Sequence, residues 1–140
     1  MLSKREMEGV LRRNHEPNFN SLVGIRLVAC HRDGVTIDCA LRPELLNLHG
    51  VLHGGVTATL ADVAVGMAIT NHFRGKSKQT TVEMKINFLR PATGRKVRAR
   101  SRLLKIGTKL TIGQVELFDE EKRRIGAALV TYMLLEIPRE

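Results

Sequence analysis

The sequence predicts an α+β fold in which a curved antiparallel sheet wraps one long buried helix. Residues 56–71 are apolar around the whole helical circumference, with Asp62 as the single charge, which is typical of a helix buried on every side. The other apolar segments alternate with a period of two and follow one another as hairpins, which favours an antiparallel sheet. A sheet that wraps the helix is the most economical way to bury both.

The N-terminal segment is predicted to form an amphipathic helix over about residues 2–14, with Ser3 as the N-cap and Glu6 three residues later. This segment has no apolar stretch like that of a signal peptide, and no apolar run is long enough to span a membrane. For a chain of 140 residues we therefore expect a single domain over residues 1–140, located in the cytoplasm and not in a membrane.

The first hairpin is predicted from Asp33 and Gly34, the strongest two-residue turn signal in the chain. Such a turn pairs Cys30 with Ile37. It also leaves the two cysteines as diagonal neighbours about 7–8 Å apart, which is poor geometry for a disulfide. We expect both cysteines to be reduced core residues.

The rest of the fold follows from a loop, a helix and further alternating segments. The loop over residues 43–55 leaves room for one helical turn, and the length and alanine content of residues 56–71 favour a helix over a strand. The alternation over residues 110–118 slips phase at Gly113, which indicates a bulge. The predicted strands cover residues 25–32, 35–42, 80–90, 97–104, 110–118 and 125–137. These are six segments, and they make five or six strands depending on where the boundaries fall.

The charge of the chain is unevenly distributed. Its 23 Lys and Arg and 14 Asp and Glu give a formal net charge of +9, which favours an anionic partner. Residues 74–109 contain twelve basic residues and one acidic residue, whereas Asp62 is the only formally charged residue in the range 45–73. Nucleic acid is a poor candidate for the partner, because aromatic residues make up 4% of the chain and Trp is absent, so a stacking platform is missing.

The segment that leads into the helix carries a candidate site. Gly54 and Gly55 lie at the predicted helix start, where free N–H groups suit an anion or a developing oxyanion, although a glycine-rich loop also permits a tight turn. Asp62 is a candidate general base, and it is costly in an apolar helix unless it is hydrogen-bonded or faces a cavity. His53 is best explained as holding the loop, while Asn47 either donates its amide to a carbonyl or makes an Asx-turn. No Cys or His spacing resembles a metal site.

Together these residues match a known pattern. Asn47-x5-His53-Gly54-Gly55-x6-Asp62 resembles the motif of hotdog-fold acyl-CoA thioesterases of the phenylacetic-acid-degradation (PaaI-like) group, and the segments LHGGVTATLAD and MKINFLRPA match it too. The resemblance spans about residues 22–137. It implies a hotdog fold, in which a five- to six-stranded antiparallel sheet wraps a long central helix, and homodimers that pair into tetramers.

The resemblance also implies roles for individual residues. The Gly54 N–H would polarise the thioester carbonyl, Asn47 would assist at the same carbonyl, and His53 belongs to the same catalytic motif. Asp62 would act as general base or as nucleophile, and Thr81 would help to place the water. Aryl-CoA relatives often carry Glu at position 62, so the substrate range stays open. CoA would lie along two segments, with Phe88, Leu89, Arg90, Pro91, Lys105, Gly107 and Lys109 as its expected contacts. CoA is then part of the substrate, and neither a separate cofactor nor a metal is expected.

The spacing of the motif favours a site shared between two chains. Gly54 and Asp62 are eight residues apart, about 12 Å along a helix axis. An oxyanion donor and a base must both lie near one reacting carbon, which a single chain does not easily arrange. Antiparallel helices of a dimer would bring Gly54 of one chain to Asp62 of the other.

The leading hypothesis is therefore an enzyme that hydrolyses acyl- or aryl-CoA thioesters to free acid and CoA. The basic stretch would then attract the phosphates of CoA. The alternatives are a hotdog protein that binds acyl-CoA without hydrolysing it, as a sensor or carrier, and a hotdog dehydratase or hydratase. A nucleic-acid-binding protein is less favoured. The sequence leaves the acyl group and the pathway open.

Overall fold

The computed structural model describes residues 1–13 and 17–139. The helices are α1 (Lys4–Arg13), α2 (Phe19–Val23) and α3 (Gly54–His72), with a short 3-10 helix at Pro43–Leu45. The strands are β1 (Ile25–His31), β2 (Gly34–Ala40), β3 (Lys78–Phe88), β4 (Lys96–Ile106), β5 (Leu110–Phe118) and β6 (Arg124–Glu136). The predicted helices and strands are all present, with ends that differ by a few residues.

The N-terminal helix is confirmed, and it begins two residues later than predicted. The Glu6 N–H donates to Ser3 Oγ (3.2 Å), and the Ser3 N–H donates to the Glu6 carboxylate (2.7 Å), so Ser3 caps α1 as expected. The predicted end at residue 14 lies outside the described residues. The sequence analysis did not predict α2, a single short helix whose N-cap is Asn18.

Within the described residues the six strands form one antiparallel sheet in the order β1-β2-β4-β5-β6-β3. The sheet wraps α3, whose Leu60, Val65 and Ile69 are fully buried against it. Strand β6 lies inside the sheet between β5 and β3, which accounts for its long apolar sequence. Strand β3 forms the edge of the sheet opposite to β1. Its residues Val82 and Phe88 are about half exposed.

Helix α3 is not buried on every side within one chain, so this part of the prediction is wrong. Gly55 is exposed, and Thr59, Asp62, Gly66 and Thr70 are half-buried. These positions recur every three or four residues and therefore form one stripe along the helix. The pattern of apolar residues did not reveal the stripe, because small side chains are compatible with both burial and exposure.

The first hairpin forms in a register that differs from the predicted one. Cys30 pairs with Val35 rather than with Ile37, and Gly34 belongs to β2 instead of the turn. A Cβ atom on Gly34 would overlap the carbonyl oxygen of Ser101 on β4. Glycine is therefore needed here for the close approach of β4 and not for the turn. Both cysteines are free, as expected.

The predicted bulge at Gly113 is also wrong. The buried residues of β5 alternate without interruption through positions 111, 113, 115 and 117. The irregularity lies in the neighbouring strand, between Leu103 and Lys105 of β4. A Cβ atom on Gly113 would lie 2.8 Å from both Cγ atoms of Val65, so this glycine allows α3 to pack closely on the sheet.

Candidate active site

The carboxylate of Asp62 lies on the half-buried stripe of α3, two turns after the helix start. Its Oδ1 accepts a hydrogen bond from Thr81 Oγ1 (2.8 Å) and another from the Tyr132 hydroxyl (2.8 Å). The sequence analysis required that this charge be hydrogen-bonded or face a cavity, and the two hydroxyl donors meet that condition.

The pairing of β3 with β6 brings the two donors together. Thr81 and Tyr132 are directly paired across these strands, and a register shift between Thr81 and Glu83 follows at once in β3. Both side chains therefore lie on the inner face of the sheet, where α3 presents Asp62. The expectation that Thr81 helps to place the water stays a prediction, and the structure shows its hydroxyl in a hydrogen bond with Asp62.

Tyr132 is the site residue that the sequence analysis missed. It is 7% exposed, and burial raises the pKa of its hydroxyl well above the ordinary range. The hydroxyl is therefore protonated and serves as a donor at neutral pH. Its signal in the sequence is that it is the single tyrosine of the chain, within an otherwise apolar strand.

The start of α3 is capped by His53. The imidazole Nδ1 accepts a hydrogen bond from the Gly55 N–H (2.8 Å), so His53 has the loop-holding role that its position favoured. The first N–H groups of a helix have no intrahelical acceptor, and in the described part of the chain the Gly54 N–H has no other acceptor. Gly54 thus offers a free donor at the positive end of the helix dipole.

Asn47 adopts the Asx-turn, the structural alternative of the two that the sequence left open. Its Oδ1 accepts hydrogen bonds from the N–H groups of His49 (2.9 Å) and Val51 (3.3 Å). These contacts fix the loop that precedes α3 and leave the amide nitrogen of Asn47 out of the turn. The side chain therefore shapes the approach to the helix start.

The two segments expected to bind CoA lie next to opposite ends of strand β6. Phe88 pairs with Gly126, and Leu110 pairs with Met133. These pairs are seven residues apart along β6, about 24 Å at 3.4 Å per residue. A Cβ atom built on Gly54 would lie 3.4 Å from the Phe88 ring, so the helix start lies near Phe88, whereas Asp62 lies beside Tyr132 toward the other end of β6. One chain therefore does not bring the predicted site residues together.

A groove of about 350 Å³ lies at the Gly54 end. It is bounded by Gly54, Thr57 and Ile125 on one side and by the predicted CoA-binding residues on the other. These residues are Phe88, Leu89, Arg90 and Pro91. The free N–H of Gly54 and one predicted CoA-binding segment thus share a single groove.

The basic stretch contains paired and unpaired cations. The three arginines of β4 form ion pairs with acidic side chains of neighbouring strands and turns: Arg98 with Asp38, Arg100 with Asp33, and Arg102 with Asp33 and Glu116. The hydrogen bond from Arg100 holds the pKa of Asp33 below its usual range. In the described chain Arg90, Lys105 and Lys109 have no ion pair, so their charges remain available to an anion.

A second cavity, of about 400 Å³, lies beside Tyr132. Its walls come from α1, the α2 region, β1 and the face of α3 that carries Val63, Gly66 and Met67. The cavity is therefore within one or two helical turns of Asp62. Residues 1–13 and 17–139 contain no cluster of three or more His, Cys, Asp or Glu that could hold a metal ion, and none of their helices has the length and apolarity to cross a membrane.

Comparison with known sequences identifies the family. The thioesterase superfamily matches residues 49–125, more than half of the chain. Medium/long-chain acyl-CoA thioesterase YigI of Escherichia coli (strain K12) is 32% identical over 135 residues, which cover 86% of each chain. Acyl-coenzyme A thioesterase 13 of Homo sapiens is 34% identical over 112 residues, which cover 79% of each chain.

Comparison with solved structures confirms the fold. The PaaI protein from the phenylacetic acid degradation operon of E. coli superposes with a TM-score of 0.83 at 16% identity, and the match covers 96% of each chain. At this identity the likeness shows the architecture alone, a sheet wrapped around a central helix. Since the family match also covers Gly54, Asp62 and Thr81, the chain belongs to the thioesterase superfamily and has the hotdog fold.

Proposed function

We propose that this protein is a cytoplasmic acyl-CoA thioesterase that hydrolyses the thioester to a free acid and CoA. The observation that carries the proposal is the Asp62 carboxylate, which accepts hydrogen bonds from the hydroxyl groups of Thr81 and Tyr132. Asp62 lies on α3, and the N–H of the first residue of this helix is free. A base and an oxyanion donor are the two groups that thioester hydrolysis requires. The names of the relatives in E. coli and Homo sapiens support the same substrate class.

The reaction needs Gly54 and Asp62 at one carbonyl group, so we assign them to different chains of a homodimer. The eight-residue spacing within α3 separates the two groups by about 12 Å along the axis. Two antiparallel copies of α3 would remove this separation. The exposed apolar residues of the edge strand β3, such as Val82 and Phe88, offer a surface for such a partner. Pairing of two dimers into a tetramer extends this proposal.

In the general-base route, Asp62 of one chain takes a proton from water as the water oxygen bonds to the carbonyl carbon. The electron pair of the C=O bond moves to oxygen, where the Gly54 N–H of the other chain stabilises it. Collapse of the tetrahedral intermediate re-forms the C=O bond and breaks the C–S bond, and the CoA thiolate takes the proton that Asp62 accepted from water, which restores the carboxylate. In the nucleophilic route, a carboxylate oxygen of Asp62 attacks the carbonyl carbon, and the C–S bond breaks to release CoA thiolate and leave a mixed anhydride on Asp62. Water then hydrolyses the anhydride, which releases the free acid and restores the Asp62 carboxylate, and the proton from water is taken up by the CoA thiolate. Both routes use the same residues.

The same dimer would assemble the CoA site. Arg90 lies at the Gly54 end, and Lys105 and Lys109 lie at the Asp62 end. An antiparallel partner places its Asp62 end beside the Gly54 end of the first chain. The three unpaired cations would then face one CoA molecule, whose phosphates they neutralise.

For the acyl group we propose the 400 Å³ cavity beside Tyr132, because it continues along α3 from Asp62. Val63 lines this cavity, so Val63→Phe should narrow it. We expect the ratio of kcat/KM for medium-chain over short-chain acyl-CoA to fall at least about 10-fold, since a pocket discriminates by this factor for small changes in size. An unchanged ratio would place the acyl group elsewhere.

The proposal is tested by measuring released thiol with short-chain, medium-chain, long-chain and aromatic acyl-CoAs. Turnover of at least one class by the native protein, and its loss in Asp62→Asn, is the expected result. Calorimetric binding of acyl-CoA with no thiol release would instead identify a carrier or sensor. Absence of both binding and release would reject acyl-CoA as the ligand.

A further inference from the structure

The hydrogen bonds of the Asp62 side chain converge on one of its two oxygens. Thr81 Oγ1 and the Tyr132 hydroxyl both lie 2.8 Å from Oδ1. Among the described residues, no side-chain hydrogen bond reaches Oδ2. The carboxylate is therefore anchored at Oδ1, and Oδ2 is the oxygen left for a reacting group.

The geometry of Tyr132 suits this anchoring. The ring is held in the core on the inner face of β6, so its hydroxyl has little freedom to leave Asp62. The hydroxyl also lies 2.9 Å from the backbone oxygen of Asp62. A buried tyrosine hydroxyl needs one hydrogen-bond acceptor, because an unpaired buried donor destabilises the fold. The backbone oxygen of Asp62 could serve as that acceptor, so a role for the carboxylate contact needs evidence of its own.

Gly66 provides a second, independent observation. It follows Asp62 by one turn of α3, and a Cβ atom at this position would lie 2.8 Å from the Tyr132 hydroxyl oxygen and 3.3 Å from the ring carbon that carries it. Glycine is unfavourable inside a helix compared with alanine. The helix thus leaves a side chain out at the position that the hydroxyl occupies.

We propose that Tyr132 is a positioning residue for the reaction, which with Thr81 fixes Asp62 through Oδ1 and directs Oδ2 to the thioester site. Gly66 makes the space that this arrangement needs. The proposal rests on the proposed function, in which Asp62 is the reacting carboxylate. It assigns a role to a residue of β6 that lies outside the sequence range matched by the superfamily.

The main test is Tyr132→Phe, which keeps the ring and removes the hydroxyl. We expect kcat to fall about 10-fold while KM changes less than about 2-fold, since one hydrogen bond to a charged group is lost while the ring that lines the proposed acyl cavity stays in place. A hydrogen bond to a carboxylate favours its charged form. The acidic limb of the pH profile of kcat should therefore move to higher pH in the variant.

A purely structural role for the hydroxyl would lower the melting temperature and leave the pH profile unchanged. That result, with kcat also unchanged in the folded variant, would overturn the proposal. Thr81→Val removes the other donor to the same oxygen, and its pH profile should move in the same direction. Thr81→Ser keeps the donor and should retain the native profile.

Gly66→Ala tests the same contact without changing Tyr132. The added methyl group displaces the hydroxyl, so kcat should fall about as far as in Tyr132→Phe. In the double variant Gly66→Ala with Tyr132→Phe the loss should be no larger than in either single variant, because the two changes remove one contact. Losses that multiply in the double variant would contradict a shared mechanism.

A matched control is Gly9→Ala on α1, where an added Cβ atom would have no neighbour within 4 Å. It should leave kcat and the pH profile unchanged. Asp62→Asn distinguishes a failure of the proposed function from a failure of the positioning role. If Asp62→Asn keeps full activity, the proposed function of Asp62 fails. If it is inactive while Tyr132→Phe behaves as the native protein, only the positioning role fails.

Discussion

Asp62 accepts hydrogen bonds from two hydroxyl groups and is half-buried, so its charge is supported rather than stranded among apolar side chains. Asp62→Asn keeps the shape of the side chain and one acceptor oxygen but removes the base. We expect kcat to fall at least about 100-fold. The free energy of unfolding should fall by only about 1 kcal/mol, because two charge-assisted hydrogen bonds become neutral ones. Thiol release and thermal melts on the same samples measure both effects.

The matched control for this change is Asp38→Asn. Asp38 is also partly buried and forms two hydrogen bonds with Arg98 (2.7 and 2.9 Å), but it lies on the other side of the sheet from the site. It should keep native kcat. A loss of turnover in Asp38→Asn equal to that in Asp62→Asn would mean that general destabilisation explains the effect.

At the residue scale the sequence predicted what depends on local spacing. A loop-holding histidine before the helix, Gly54 at its start and a lone carboxylate within it could all be predicted from their positions along the segment that forms α3, whereas the capping bond of His53 was seen only in the structure. The contact of Asp62 with Tyr132 joins residues 70 positions apart. It depends on the register of β3 and β6, including the shift after Thr81. No local pattern encodes that register, so Tyr132 was missed.

Among the elements, the packing of α3 on β5 depends on Gly113. A Cβ atom there would lie 2.8 Å from both Cγ atoms of Val65 and 3.4 Å from the Arg102 carbonyl oxygen. Since α3 and β4 hold both neighbours, Gly113→Ala should lower the free energy of unfolding by about 1–3 kcal/mol. Denaturant titration measures this change.

The control for Gly113→Ala is again Gly9→Ala, which meets open space on α1. It should raise the free energy of unfolding by up to about 1 kcal/mol, because alanine is the better helix former. Destabilisation by Gly9→Ala, or no effect of Gly113→Ala, would show that the glycine at 113 does not control the helix–sheet distance.

The elements themselves were predictable because alternation and apolar length are local. The register of the first hairpin was not, because Gly34 serves a contact with Ser101 on a strand more than 60 residues away. The same is true of Gly113, whose neighbour Val65 lies on α3. A glycine that permits a close approach looks the same in the sequence as a glycine that makes a turn or a bulge.

For the whole molecule, the ion pairs of the described residues separate the cations that link neighbouring strands from those that have no acidic partner. We expect Arg90→Ala and the pair Lys105→Ala with Lys109→Ala to raise KM for acyl-CoA several-fold, with little change in kcat, because each loses an attraction to phosphate. Pantetheine thioesters, which lack the nucleotide, should be hydrolysed as by the native protein. Steady-state kinetics on both substrates measure the difference.

Arg98→Ala is the control for these variants, because Arg98 is already engaged by Asp38. Its KM for acyl-CoA should remain near the native value. Equal losses on CoA and pantetheine substrates in Arg90→Ala would contradict a role in binding phosphate and would indicate an effect on folding or chemistry.

The proposed active site combines Gly54 of one chain with Asp62 of another, and mixed dimers test this assignment. Gly54→Pro removes the N–H of the first residue of α3. Proline is well tolerated at this helical position, and His53 already has the extended backbone (ψ 133°) that a following proline requires. Gly54→Pro and Asp62→Asn should each be nearly inactive as homodimers, since each loses one group from both sites.

When the two inactive proteins are unfolded, mixed in equal amounts and refolded, half of the dimers contain one chain of each kind. In such a dimer one site keeps an intact Gly54 and an intact Asp62, while the other site has lost both. The mixture should therefore recover about one quarter of the native activity, as random pairing across a two-fold interface requires. A chain that carries both substitutions should restore nothing when mixed with Asp62→Asn. If native mass spectrometry shows the mixed dimers and no activity returns, Gly54 and Asp62 do not act across the interface.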